Sequence, residues 1–116
     1  MKLAEIEKLL DATCLTTYDR DKVEIHKVCA ADLLSDVLAF TQTGTLLLTG
    51  LIHGQVIRTA EMLDLAAVVV VRGKQPSKEM IDLAWEKNIP LFSTPLNMYV
   101  AVGRLYEARL SGEDEN

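Results

Sequence analysis

The chain has 116 residues, enough for one domain with a single substantial hydrophobic core. With 49% hydrophobic residues, 25% charged residues and a formal net charge of −5, its globular composition disfavours binding to nucleic acid or to anionic membranes. The longest apolar run, residues 63–71, is far shorter than the roughly 20 residues that span a bilayer, and the N-terminus has the pattern of an amphipathic helix rather than of a signal peptide. We therefore predict a cytoplasmic protein.

Hydrophobic periodicity predicts helices and strands that alternate along the chain. The segments with an apolar helical face, which we predict to be helices, are 1–12, 30–44, 53–65, 76–88 and 95–110. The segments rich in β-branched residues, which we predict to be strands, are 13–17, 23–29, 45–50, 66–73 and 89–94. Strands that are apolar on both faces and separated by short helices are typical of a parallel sheet covered on both sides. The predicted fold is a single three-layer α/β domain with a mainly parallel sheet flanked by helices. The strands that end near Gly50, Gly73 and Thr94 are expected to be parallel neighbours because short helices connect them, and the order of the whole sheet stays open.

The second predicted helix, in segment 30–44, has clear boundary signals. Asp32 is expected to be its N-cap, because a short polar side chain there can accept a hydrogen bond from a free helical N–H group. Gly44 is expected to end the helix. The residues expected to form its buried stripe are Leu34, Val37 and Leu38.

The carboxyl ends of the three most regular strands carry small, hydroxyl-bearing or cationic residues. In an open parallel sheet these ends share one edge, where ligands usually bind. The residues at these ends, which are our candidate ligand-binding residues, are Thr49, Gly50, Arg72, Gly73, Lys74, Ser93 and Thr94. Helix N–H groups, hydroxyl groups and the two cations would favour a nucleotide or another anion.

The same residues also have a purely architectural interpretation. Glycine at a strand-to-helix turn often serves backbone conformation alone, and Thr94 followed by Pro95 is typical of a helix N-cap and its first helical residue. Neither glycine-containing turn matches the phosphate-binding patterns GxxxxGK[ST] or GxGxxG. A ligand site and a set of structural turns therefore both stay open as interpretations.

Residues that could support catalysis or bind a metal are few and scattered. The two cysteines, Cys14 and Cys29, and the two histidines, His26 and His53, lack the paired-ligand spacing of a zinc site. No serine or cysteine is recognisably paired with a histidine, as a nucleophile with its base would be. We therefore predict two structural thiols, no metal, no cofactor and no enzymatic activity.

The closing helix carries two apolar stripes, whereas a surface helix of a monomer usually has one. The first stripe, expected to face the sheet, consists of Met98, Ala101, Val102 and Leu105. The second stripe, our candidate dimer interface, consists of Tyr99, Gly103, Tyr106 and Leu110. Gly103 would allow the close approach of a second chain. The alternative is one wide apolar face that the first helix half covers.

Several segments in this order resemble stand-alone DRTGG-domain proteins. The most specific segments are ADLLSDVL at residues 31–38 and VIRTAEM at 56–62. The resemblance extends to LLLTG at 46–50, AVVVVRGKQPSKEMIDLAWEKNIPLFST at 67–94 and MYVAVGRLYEARL at 98–110. It implies a DRTGG-like domain over residues 1–112 followed by an acidic tail, 113–116. It also implies a fold similar to the N-terminal domain of HPr kinase/phosphorylase and to the DRTGG modules of CBS-containing pyrophosphatases and of phosphotransacetylases. In multidomain proteins of this kind the DRTGG module usually has a regulatory or dimer-forming role and not the catalytic role.

Two functional hypotheses follow. In the first, the protein is a non-enzymatic, homodimeric regulatory module that acts through protein contacts on a metabolic or redox enzyme. In the alternative, it is a small-molecule sensor that binds a nucleotide or another anion at the carboxyl ends of the parallel strands. The resemblance favours the first hypothesis and the residues at the strand ends favour the second.

Overall fold

The structure, a computed structural model, describes residues 1–108 and 110–112, which contain five helices and six strands. The helices are α1 (Leu3–Leu9), α2 (Leu34–Phe40), α3 (Gln55–Leu63), α4 (Lys78–Glu86) and α5 (Met98–Glu107). The strands are β1 (Thr13–Cys14), β2 (Lys27–Ala30), β3 (Leu46–Thr49), β4 (Ala67–Val70), β5 (Leu91–Ser93) and β6 (Ser111–Gly112). The predicted acidic tail, residues 113–116, lies outside the described residues.

The strands form one sheet in the order β1-β5-β4-β3-β2-β6. The five strands β5, β4, β3, β2 and β6 each pair in parallel with their neighbours within this group. The two-residue strand β1 pairs with β5 in antiparallel orientation. The predicted α/β class with a mainly parallel sheet is confirmed. The prediction that the strands ending near Gly50, Gly73 and Thr94 are parallel neighbours is confirmed as well, because β3, β4 and β5 pair in that order.

The four central strands, from β2 to β5, are adjacent in space in the same order as in the chain. Because crossovers between parallel strands are right-handed, the connecting helices α2, α3 and α4 share one face of the sheet. One buried cluster accordingly contains residues of these three helices, and a second contains residues of α1 and α5. The strand residues alternate between the two clusters, with Leu47, Val68, Val70 and Leu91 in the first and Leu46, Leu48, Val69 and Phe92 in the second. This alternation explains why the central strands are apolar on both faces.

The second helix is shorter than predicted, and both predicted boundaries are wrong. α2 begins at Leu34 with Leu33 in the N-cap position, so Asp32 does not cap it. The reason is that the Asp32 carboxylate accepts hydrogen bonds at the end of β3 instead. The helix ends at Phe40, and Gly44, with a φ of 80°, forms the turn that leads into β3.

The apolar stripe predicted for α2 is only partly buried. Val37 is fully buried and Leu34 is half-buried, whereas Leu38 exposes 47% of its surface. Successive helical residues are about 100° apart, so Leu34 lies about 60° from Val37 around the helix and Leu38 lies about 100° away. Leu38 therefore falls outside the narrow side of this seven-residue helix that meets the sheet.

The N-terminus of α5 also differs from the prediction. Asn97 is the N-cap, and its side-chain oxygen accepts a hydrogen bond of 2.9 Å from the backbone N–H of Val100. Thr94 lies three residues earlier, where its hydroxyl group bonds to other parts of the chain, and Pro95 is not the first helical residue. The Thr-Pro pair had the right residue types for a helix start, but Asn97 is an equally favourable cap and is the one used.

Tyr18 anchors the connection between β1 and β2 to the rest of the domain. Its hydroxyl group donates a hydrogen bond of 2.5 Å to the Glu7 carboxylate on α1, and its ring packs edge-on against Phe92 with 5.4 Å between the ring centroids. Burial, followed by the hydrogen bond to Glu7 and the negative charge of that carboxylate, raises the pKa of Tyr18 from 10.0 to about 12.

This raised pKa predicts a specific loss of stability at alkaline pH. Because the folded-state pKa lies above the unfolded-state value, the neutral phenol contributes stability that is complete below pH 10 and is lost as the pH rises towards 12. Urea unfolding measured at several pH values in this interval should show the decrease, and the Tyr18→Phe variant should lack that part of it. An identical pH dependence in the variant would show that Tyr18 does not cause the loss.

Candidate functional site

The end of β3, at Thr49 and Gly50, is bound by a carboxylate from the neighbouring strand connection. Asp32 follows β2, and one of its carboxylate oxygens accepts the Gly50 N–H at 2.6 Å and the Thr49 hydroxyl at 3.3 Å. The Thr49 oxygen in turn accepts the N–H of Leu51 at 3.1 Å. The hydroxyl and N–H donors that the sequence suggested for an anionic ligand thus already bind an anion from within the chain.

Two charged side chains approach the Gly50 backbone closely. A Cβ atom added there would lie 3.3 Å from a carboxylate oxygen of Asp32 and 3.5 Å from the Lys74 ammonium nitrogen. The Lys74 ammonium donates a hydrogen bond of 3.1 Å to the Gly50 carbonyl oxygen. A carboxylate and an ammonium group therefore both bind the Gly50 backbone, and an added Cβ would be tight against the Asp32 oxygen alone.

The end of β4 makes a tight turn that uses its backbone donors internally. Arg72 and Gly73 both adopt left-handed conformations, with φ values of 67° and 65°. The Arg72 N–H donates to the carbonyl of Leu96 at 2.7 Å, and the Gly73 N–H donates to that of Thr94 at 2.8 Å. A left-handed arginine is energetically unfavourable and indicates a position fixed by its surroundings. Its side chain is exposed, so its charge is available at the surface.

The end of β5 contributes one half-buried and one fully buried hydroxyl residue. Ser93 is half-buried on the strand, and Thr94 has no exposed surface. The Thr94 hydroxyl donates a hydrogen bond of 2.5 Å to the Leu10 carbonyl at the end of α1 and accepts one of 3.2 Å from the N–H of Leu96. Thr94 therefore joins β5 to α1 and to the segment before α5.

The structure brings the predicted residues to one edge of the sheet, which we call the carboxyl-end edge (residues 31–32, 49–50, 72–74 and 93–94). Asp32, which the sequence pattern assigned to a helix cap, is the residue that this reasoning missed. Asp32 directly follows β2. The carboxyl ends of parallel strands lie at one edge of the sheet, so the end of β2 predicts Asp32 at the carboxyl-end edge as well.

The strand order also bears on ligand binding at this edge. Crevices for ligands in open α/β sheets form where the strand order reverses, because the connecting helices then leave the strand ends in opposite directions. The strands from β2 to β5 are consecutive, and no reversal occurs among these four. The carboxyl-end edge therefore lacks the usual crevice at its centre.

The outer surface of α5 exposes two aromatic side chains one above the other. Tyr99 and Tyr106 expose 87% and 68% of their surface, and Gly103 lies between them on the same side of the helix. We call these three residues the α5 face. Leu110, predicted to belong to this stripe, is only 8% exposed and packs in the core, because α5 ends at Glu107 and the chain turns inward after it.

The apolar stripe of α5 that was predicted to face the sheet agrees with the packing of the helix. Ala101 and Leu105 are buried beside α1, whereas Met98 and Val102 are half-buried. The Arg104 guanidinium donates to the Leu9 carbonyl at 3.0 Å and so fixes α5 against the end of α1. α5 is thus covered on the side of the sheet and of α1, and α1 does not cover the α5 face.

The histidines, His26 and His53, are both exposed, and Cys29 is buried while Cys14 is half-buried. Within residues 1–108 and 110–112, no group of three or more histidine, cysteine, aspartate or glutamate residues could hold a metal ion. No helix in the same part of the chain is long and apolar enough to cross a membrane.

With a mainly parallel sheet between two helical layers, the chain is a three-layer α/β domain. It belongs to the DRTGG domain family, which residues 5–108 match. A similar solved structure is that of the CBS and DRTGG domains of the regulatory region of Clostridium perfringens pyrophosphatase, complexed with its activator diadenosine tetraphosphate. The TM-score is 0.75 at 24% identity over 90% of this chain, which spans 45% of that chain, and the likeness shows the fold. A search of the curated proteins found no match.

Proposed function

We propose that this chain is a non-enzymatic regulatory module that forms a homodimer and acts through protein contacts on a metabolic or redox enzyme. Membership of the DRTGG domain family supports a regulatory role, because the similar pyrophosphatase carries its DRTGG domain in its regulatory region. The observation that carries the proposal is the exposed α5 face.

The α5 face has the composition of a protein contact. Tyrosine is enriched at interfaces because its ring is apolar while its hydroxyl group can still form a hydrogen bond. Two tyrosines that expose 87% and 68% of their surface on one side of one helix leave a continuous aromatic strip in water. Burying side chains of this size contributes roughly 1.5–3 kcal/mol each.

A second copy of this chain is the partner that fits the α5 face best. The face is symmetrical along the helix, with one tyrosine on either side of Gly103. Two such helices packed antiparallel about a two-fold axis at Gly103 would place each tyrosine beside a tyrosine of the other chain. A Cβ atom added to Gly103 would meet nothing within 4 Å in the monomer, so the monomer fold gives no steric reason for glycine there.

Light scattering tests this proposal through the molecular mass. At high micromolar concentration the wild-type protein should have twice the 12.9 kDa mass of the chain. The double variant Tyr99→Ser/Tyr106→Ser should be monomeric and folded, because exposed substitutions usually change stability by less than about 0.5 kcal/mol. Met62→Ser, which removes a 70% exposed side chain from α3 on the opposite face, is the matched control and should leave the mass unchanged.

The variant Gly103→Ala tests whether the α5 face is a dimer contact or whether its tyrosines are exposed without a partner chain. Alanine is favoured over glycine inside a helix by about 1 kcal/mol, so the monomer should become more stable. If α5 packs closely against its copy, the same methyl group should weaken the dimer. A wild-type mass of one chain would contradict the homodimer, and an unchanged mass in both α5 variants would contradict this surface as its interface.

The alternative function, a sensor of a nucleotide or another anion at the carboxyl-end edge, has two supporting observations. The similar pyrophosphatase region is complexed with the activator diadenosine tetraphosphate, and the exposed Arg72 and Lys74 supply positive charge at this edge. In calorimetry with adenine nucleotides, phosphate and small carboxylates, Arg72→Ala should lose binding, because charge-assisted hydrogen bonds are about twice as strong as neutral ones. Thr49→Val should lose less, since it removes one neutral hydroxyl group, which already donates to the Asp32 carboxylate.

A further inference from the structure

A cleft with a volume of about 590 Å³ lies at the amino ends of β4 and β5, on the opposite side of the sheet from the carboxyl-end edge. We call it the Trp85 cleft. Its lining residues come from the connection after β1, from the residues that precede β4 and β5, and from the end of α4: Thr16, Thr17, Tyr18, Asp19, Val23, Ala66, Ala84, Trp85, Asn88 and Pro90. The volume is within the range of about 300–1,000 Å³ that small-molecule sites occupy.

The wall formed by the connection after β1 is fixed in place at several points. The Thr16 hydroxyl accepts the N–H of Leu91 at 3.1 Å and donates to the carbonyl of Ile89 at 3.4 Å, which attaches this segment to the start of β5. Tyr18 is held by its hydrogen bond to Glu7. A ligand entering this cleft would not have to order the wall first, which reduces the entropic cost of binding.

Trp85, the only tryptophan of the chain, lines the cleft and exposes 51% of its surface. An exposed tryptophan near the end of a helix is often only a surface residue. Here it shares a concave surface with the apolar residues Val23, Ala84 and Pro90. An indole in such a position offers a flat face on which another ring can stack.

Asn88 adds a side-chain amide to the same cleft. It lies just after the C-cap of α4 in a left-handed conformation with φ of 57°, a position where glycine or asparagine commonly ends a helix. The left-handed turn accounts for the backbone conformation of Asn88. It does not account for the amide side chain, because glycine would adopt the same turn equally well. An amide presents a donor and an acceptor side by side and can pair with the amino and ring nitrogen atoms of a base.

The charges around the cleft define what it can accept. Asp19 is the carboxylate in its lining, and one of its oxygens accepts the N–H of Asp21 at 3.0 Å. A carboxylate has about four acceptor positions, so Asp19 can accept a further hydrogen bond, and its charge favours a donor over an anion. The Arg20 guanidinium is 5.3 Å from the centre of the Tyr18 ring and 3.2 Å from the Glu7 carboxylate, and the Lys22 ammonium is 3.8 Å from the Asp19 carboxylate.

From this combination we infer that the Trp85 cleft binds a planar heteroaromatic ring that bears an amino group, the chemistry of an adenine base. The ring stacks on Trp85, the Asn88 amide pairs with its amino and ring nitrogen atoms, and the Asp19 carboxylate accepts the remaining amino hydrogen. This site is separate from the α5 face and from the carboxyl-end edge, so it does not depend on the dimer.

Because Trp85 is the only tryptophan, its fluorescence reports on the cleft directly. Adenosine titrated into the full chain to millimolar concentration should give a saturable change in this fluorescence, and calorimetry should give the same affinity. Asn88→Gly, which keeps the left-handed turn, should bind adenosine about tenfold more weakly, the contribution of one bidentate amide–base contact. Its melting temperature should not fall, because glycine readily adopts this backbone conformation.

Two controls locate the binding. Asp36→Ala, at an exposed position on α2 outside the cleft, should bind adenosine as the wild type does, and Trp85→Leu should lose calorimetric binding. Ribose, which lacks the base and carries no charge, should not bind. The inference is overturned if adenosine gives no saturable signal, if ribose binds equally well, or if Asn88→Gly keeps the wild-type affinity. None of these results alters the mass measured by light scattering, so failure of this inference is distinguishable from failure of the homodimer.

Discussion

Replacing Thr94 with valine is expected to destabilise the domain by about 1–3 kcal/mol. Valine has almost the same shape, so packing in this fully buried position is kept while two hydrogen bonds are lost. The Leu10 carbonyl, at a residue with no exposed surface, would lose the Thr94 hydroxyl as a donor, and the N–H of Leu96 would lose its acceptor. Urea unfolding followed by circular dichroism would measure the change.

Replacing Thr45 with valine is a control for which the opposite change in the free energy of unfolding is expected. It is as fully buried as Thr94, but its hydroxyl oxygen has no hydrogen-bond partner. Thr45→Val should therefore stabilise the domain by about 1 kcal/mol, because a buried polar group without a partner costs free energy. If both variants changed stability in the same direction and by the same amount, the hydrogen bonds of Thr94 would not be the cause.

Replacing Asp32 with alanine is expected to have two effects at the carboxyl-end edge. The buried Gly50 N–H would lose its charged acceptor, which should cost about 1–3 kcal/mol. At the same time the Gly50 N–H and the Thr49 hydroxyl would become available beside the Lys74 ammonium. The variant should therefore bind inorganic phosphate at millimolar concentration, whereas the wild type should bind it much more weakly.

The physical reason is competition for the same donors. A bound anion must displace the Asp32 carboxylate or lie close to it, and like charges at short range disfavour binding. Thermal shift with phosphate at low salt would measure the effect. Asp36→Ala removes an equal charge from an exposed position on α2 and should leave phosphate binding unchanged. Equal stabilisation of the wild type and of Asp32→Ala by phosphate would show that Asp32 does not block the edge.

The helices and strands could be predicted from the sequence because their patterns are local. Val68, Val69 and Val70 are apolar on both faces of a strand, and only a sheet covered on both sides buries both. The repeat of Val56, Ile57 and Ala60 places one side of α3 against such a sheet, and all three are buried. The segments from 31 to 110 also carried the family resemblance, which the match over residues 5–108 confirms.

Side-chain roles at the ends of elements were predicted less well, because several local partners compete for each polar group. Asp32 and Thr94 both had the right residue type and position for helix caps. Each instead bonds to a distant segment, Asp32 to the end of β3 and Thr94 to the end of α1. Leu110 fitted the α5 stripe by spacing, yet it lies beyond the end of the helix and packs in the core.

The sequence by itself determined the α/β class, the order of the elements up to α5 and the aromatic α5 face, since each depends on residues within a few turns of one another, whereas β6 was not predicted. Apart from the adjacency of β3, β4 and β5, which the sequence also predicted, only the tertiary structure decided which elements are neighbours. It placed β2 beside β3, so that Asp32 binds the donors expected to hold a ligand. It also brought the connection after β1 to the end of α4, which formed the Trp85 cleft. Such contacts depend on the strand order, and local periodicity carries no information about that order because every buried parallel strand has the same apolar pattern.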